Sequence, residues 1–134
     1  MVLLIMRSDE RYQRGIAQLE KMSGSAVQAM VENIQALSPD LARLTVEFPY
    51  GDVVSRPGLD LRTRQIATVA ALTALGNAPV QLRAHIDMAL NAGCTRDELK
   101  EVIIQMAVYA GFPAALNGMA AAKEVFQARD GKGL

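Results

Sequence analysis

The side chains that could do chemistry gather in one stretch of the chain, from Glu47 to Gly93. A polar loop carries Tyr50, Asp52 and Arg56, and Arg62 and Arg64 follow at the start of the next helix. From Ile66 to Leu75 only Thr68 and Thr73 are polar, and the single histidine, His85, stands one helix further on. Polar groups converging on an apolar wall are what a small-molecule pocket requires. An imidazole titrates near neutrality, so His85 is the natural group to give or take a proton there. The competing reading of a lone histidine is a hydrogen-bonded core residue, since His85 borders the apolar stripe Leu82, Ile86, Ala89 and Leu90.

Glu47 and Tyr50 lie one turn apart at the mouth of the loop. Glu47 could act as a base or orient His85; the plainer alternative is a surface pair with Arg43, one helical turn earlier. Tyr50 and Tyr109 could each donate to an oxyanion, although a buried tyrosine with a satisfied hydroxyl is the commoner outcome. Gln65 and Asn117 are weaker candidates. Cys94 has no second cysteine with which to complete a dithiol cycle, and reads as an inert small residue.

The elements that must position these groups are helices. No segment sustains a two-residue alternation, whereas helix starts and stops recur throughout. The pattern predicts a first helix from Ser8 to about Met22, a break at Ser23-Gly24-Ser25, and a second helix over Ala26–Leu37. Ser38 caps a third helix with Pro39 at its first position. That helix is expected to carry Leu41, Leu44 and Phe48 inward and to end at Pro49 and Gly51. Asp60 can cap a fourth over Leu61–Leu75, Pro79 opens a fifth that Gly93 stops, and Thr95 with Glu98 has capping-box spacing for a sixth. A seventh runs from Ala114 to about Arg129, leaving 1–7 and 130–134 as flexible ends. The expectation is an all-α single domain over 1–134, of about seven helices packed as helical hairpins. A fourth helix apolar on nearly every side must be covered on nearly every side, and in so small a domain a neighbouring subunit is expected to supply part of the cover.

Bulk properties narrow the function classes. The 134 residues are 51% hydrophobic and 21% charged, with fourteen Lys and Arg balancing fourteen Asp and Glu. No basic face is signalled, which argues against a nucleic-acid partner. One cysteine forms no internal disulfide, so a reducing cytoplasm is the expected compartment. The opening MVLLIMRSDER is too short in its apolar run for a signal peptide. The uncharged run Val102 to Ala122 has the length of a membrane span, but Gln105, Gly111, Pro113, Asn117 and Gly118 make it two buried helices meeting at a turn, and no membrane partner is expected.

The strings YGDVVSRPGLDLRTR, LTALGNAPVQLRAHIDMALNAGCTRDELKEVIIQMAVYAGFPAALN and AAKEVF resemble the carboxymuconolactone decarboxylase family, over roughly Arg11 to Phe126. The resemblance implies an alkylhydroperoxidase D-like helical subunit, assembled as a homo-oligomeric trimer or hexamer. It implies a cofactor-independent decarboxylase acting on a small anionic lactone in aromatic-compound (protocatechuate, β-ketoadipate) catabolism, with no metal. The lactone carbonyl then accepts the electrons that carbon dioxide leaves behind. The protein would supply cationic clamps for substrate carboxylates, a donor where negative charge gathers, and an acid to protonate carbon. On that reading His85 and Glu47 are catalytic, and Arg56, Arg62, Arg64, Tyr50 and Tyr109 bind substrate. The peroxidase branch of the fold has a Cys-x-x-Cys pair where this chain has Ala78 and Gln81, which disfavours a peroxidase or antioxidant function. A non-catalytic oligomeric binding protein is the other alternative.

Overall fold

Between residues 2 and 131, the part that the computed structural model describes, the chain winds almost entirely into helix; side chains are described from Asp9 onward. No strand occurs among the described residues, and the fold class is all-α. Contacts divide the chain into two compact units, Met1–Leu59 and Asp60–Leu134.

The first unit holds α1 (Val2–Ser23), α2 (Ala26–Leu37), α3 (Pro39–Thr45) and a π-helix, Val46–Val54. Gly24 takes the positive φ of 57° that turns α1 into α2. Ser38 closes α2 and opens α3, its hydroxyl accepting from Leu41 N at 3.2 Å, with Pro39 first in the helix. The start of α3 lies where its cap residues predict it, whereas α1 begins at Val2, ahead of the predicted Ser8.

The expected stop at Pro49 and Gly51 does not occur. Instead the chain continues as the π-helix through Val54, with Pro49 inside it. A proline ring crowds the carbonyl four residues earlier in a regular α-turn, and the wider π-turn gives it room. The inward set becomes Ala42, Val46 and Tyr50, every fourth residue, together with Glu47. Leu41, Leu44 and Phe48 therefore face outward, contrary to their predicted side, and Phe48 is 61% exposed.

Two glycines set how closely α1 meets the π-helix. A Cβ on Gly15 would lie 2.2 Å from the Val46 carbonyl oxygen, and one on Gly51 would lie 2.4 Å from that of Arg11. The two backbones thus touch at two points where any side chain would wedge them apart.

The second unit holds α4 (Leu61–Leu75), α5 (Pro79–Asn91), α6 (Arg96–Ala110) and α7 (Phe112–Gly131). Asp60 caps α4 by accepting from Thr63 N at 2.7 Å. Gly76 ends α4 in the left-handed region at φ 72°. Thr95 and Glu98 form the expected capping box, each side chain 3.1 Å from the other's backbone N–H. Core residues Val69, Leu82, Ile86, Ala89, Leu99, Ile103 and Val125 come from all four helices. Burying a leucine or isoleucine of this kind contributes about 1.5–3 kcal/mol relative to leaving it in water.

The run Val102 to Ala122 is two helices meeting at Gly111, as predicted, but they are not buried throughout: Ile104, Val108, Tyr109, Phe112 and Leu116 are exposed. Among the described residues no helix is long and apolar enough to cross a membrane. The carboxyl end of α7 is fastened twice. Arg129 Nε donates to Asp87 Oδ1 at 2.7 Å, and Arg96 grips the carboxylate of Asp130 at 2.7 and 3.1 Å. Residues 130 and 131 are therefore the last turn of a helix, where a loose tail was expected; residues 1 and 132–134 of the expected flexible ends lie outside the described residues.

Candidate functional site

His85 sits in the middle of α5, half-buried, with Nδ1 3.1 Å from Oε1 of Gln65 on α4. Gln65 is only 1% exposed and forms one inward stripe of α4 with Val69 and Thr73. Burial disfavours the charged imidazole and pushes the His85 pKa below its ordinary value. The ring is thus tied at one nitrogen, and burial favours its uncharged form.

Arg62 and Arg64 lie on the same helix as Gln65, at its first turn, and both are half-buried. Arg62 precedes Gln65 by three residues and so stands near it on the helix surface. Its guanidinium forms an ion pair with Glu98, the capping-box residue of α6. Arg62 also acts on Asp60, whose carboxyl is held below the usual range first by its hydrogen bonds from Thr63 and then by this charge. Tyr109 stands near the end of α6 and is 77% exposed, so the buried tyrosine considered from sequence does not occur at this position. Asn117 lines a cavity of about 30 Å³ with Thr73, Leu82 and Gly118. Cys94 is buried, its thiol pushed up by desolvation, and it precedes the N-cap of α6 where a helix start was predicted.

In the first unit Glu47 is buried, 1% exposed, and not the surface residue its pairing with Arg43 suggested. Arg43 Nη1 donates to its Oε2 at 3.1 Å, and Arg11 Nη1 lies 3.7 Å from the same oxygen. Glu47 and Arg43 line a groove of about 460 Å³ with Asp9, Tyr12, Gln35 and Asp40. Asp52 is held by Arg11 at 2.6–3.0 Å, and that guanidinium keeps its carboxyl below the usual range. Tyr50 is buried in the π-helix, and desolvation raises its hydroxyl pKa, so it stays a neutral donor. Arg56 is exposed, just past the π-helix, with its N–H on Val53 O.

Two features were not foreseen from sequence. Gln65, ranked there only as a weaker candidate, is the residue in contact with His85; a polar residue at the head of the stripe Gln65, Val69, Thr73 was the available signal. The Arg11–Asp52 contact spans 41 residues and left no local trace.

Residues 39–124 match the model of the carboxymuconolactone decarboxylase family. The chain belongs to that family. It is 38% identical over 123 residues to the 4-carboxymuconolactone decarboxylase of Acinetobacter baylyi, covering 91% of each chain. A second relative within reach of the family is the nitrosuccinic acid decarboxylase of Metarhizium robertsii, 30% identical over 117 residues, 84% of this chain and 81% of that one. An uncharacterized 15.0 kDa protein of Paracoccus denitrificans is 35% identical over 98 residues, covering 72% of this chain and 73% of its own. Family membership agrees with the resemblance carried by the loop and helix motifs between Tyr50 and Asn117.

Proposed function

We propose that this member of the carboxymuconolactone decarboxylase family is a cofactor-independent carbon–carbon lyase that removes carbon dioxide from a small anionic lactone in aromatic-compound catabolism. The observation that carries the reading is the 38% identity across 91% of a 4-carboxymuconolactone decarboxylase. The site adds a half-buried imidazole with one nitrogen anchored, on a helix beside one that bears two arginines.

As carbon dioxide leaves, the bonding pair passes through the ring double bond to the lactone oxygen, and the resulting carbanion takes a proton. His85 supplies that proton. Its lowered proton affinity suits the empty site, and the negative charge of a bound substrate raises it again. Arg62 and Arg64 hold the substrate carboxylates, since a guanidinium grips a carboxylate with two parallel hydrogen bonds. Glu47 is assigned instead to holding α3 and α1 together through Arg43 and Arg11.

The reading also includes a homo-oligomer, trimeric or hexameric, in the cytoplasm. It is supported by an apolar strip on α6 and α7: Ile104, Val108, Tyr109, Phe112 and Leu116, with Val108 and Tyr109 both 77% exposed. A second copy of the chain is the occupant that covers such a strip at no cost in new sequence.

The deciding experiment is carbon dioxide release from 4-carboxymuconolactone by the purified chain. Catalytic release supports the reading; tight binding without release supports the binding-protein alternative and overturns it.

A further inference from the structure

We propose that Gln65 is the positioning residue of this site: its amide oxygen holds His85 in the Nδ1–H tautomer and leaves Nε2 as the nitrogen that exchanges protons. The inference rests on the reading that His85 moves the proton in turnover, and its own evidence is the 3.1 Å contact between Nδ1 and Oε1.

An amide can face an imidazole in two ways. With its nitrogen toward Nδ1 it would donate, and the ring would carry its hydrogen on Nε2. Protonating that ring would then set two N–H groups against each other and break the contact. With its oxygen toward Nδ1, the same hydrogen bond survives in both the neutral ring and the cation. Only the second orientation lets His85 gain and lose a proton at Nε2 without moving.

Burial makes the constraint effective. Gln65 is 1% exposed and belongs to the inward stripe of α4 with Val69 and Thr73, so its amide is not free to swing into water. Thr73 illustrates the same economy of polar groups, its hydroxyl returned to Val69 O at 2.7 Å. An amide differs from a carboxylate in one respect: it fixes the ring without adding a charge that would stabilise the cation in the resting site.

The chain has a single histidine, so nitrogen-15 spectra of histidine-labelled protein report this one ring. Two-bond nitrogen–proton correlations above the ring's titration are expected to show the Nδ1–H tautomer in the intact protein. Gln65→Leu is expected to shift the ring toward Nε2–H and to lower turnover by up to about a hundredfold, the size of an orientation loss. Gln65→Glu keeps an acceptor oxygen and is expected to restore the Nδ1–H tautomer. An Nε2–H ring in the intact protein, or a tautomer unchanged in Gln65→Leu, overturns the proposal. Failure of the His85 reading is separable: the tautomer shifts as stated, yet His85→Ala turns over normally.

Discussion

Glu47 is almost wholly removed from solvent, while Arg43, which donates to it at 3.1 Å, keeps 45% of its side chain exposed. The pair is thus a buried anion answered from the surface, with Arg11 as a second cation at 3.7 Å. Glu47→Gln keeps the shape and removes the charge. It is expected to cost about 1.5–3 kcal/mol, the contribution of a hydrogen bond to a charged group, with turnover per folded molecule little changed. Urea unfolding beside a turnover assay checks this. A hundredfold turnover loss at unchanged stability would return Glu47 to a chemical role.

His85→Ala is expected to lower turnover by about a hundredfold or more, the usual size of a general-acid contribution. Circular dichroism of the variant checks that the helices persist. Unaltered turnover would remove His85 from the mechanism.

The lowered proton affinity of His85 fixes two signs. In the unfolded chain the ring titrates in the ordinary histidine range, so between the two values the unfolded state binds more protons. Its contribution to stability is therefore complete above the ordinary range and is lost as pH falls from that range through the lowered value of the folded state. Urea midpoints measured across that range, against His85→Gln as control, are expected to fall toward acid only in the parent. For turnover, the acid form becomes scarce as pH rises. The alkaline limb of kcat/KM, which reports the free enzyme, is expected below the ordinary histidine range, and that of kcat higher, because the bound anion favours the cation.

Much of the framework was readable because it is local. Ser38, Asp60 and the Thr95–Glu98 box announce helix starts within three residues of themselves, and each caps the helix predicted for it. The π-helix was not readable, since Pro49 and Gly51 are ordinary stop signals and the close approach of α1 to Val46 and Gly51 joins residues far apart in the sequence. Leu41 and Leu44, which lie in α3 ahead of the π-helix, and Phe48 fall off the face that buries Ala42, Val46 and Tyr50. His85 and the arginines were legible by type, whereas Gln65 needed the α4–α5 contact, which no spacing within either helix encodes.

Gly15→Ala and Gly51→Ala probe that contact between backbones. Each methyl would meet a carbonyl oxygen at 2.2–2.4 Å, so each is expected to destabilise by about 1–3 kcal/mol, as overpacking does. Thermal melts check it; an unchanged midpoint for both would mean that α1 shifts freely on the π-helix.

Arg64→Gln is expected to raise KM by about tenfold, with the fold intact, if its guanidinium meets a substrate carboxylate. Initial-rate kinetics separate this from Arg62→Gln, which also releases Glu98 at the start of α6 and should lower thermal stability as well.

The double fastening at the end of α7 has a practical side. Arg129 and Asp130 tie the final turn to Asp87 on α5 and Arg96 on α6, so those two residues work as a latch between α7 and these two helices. Purification handles belong beyond that latch, and a chain trimmed to Gln127 should unzip from its carboxyl end and be clipped progressively by carboxypeptidases.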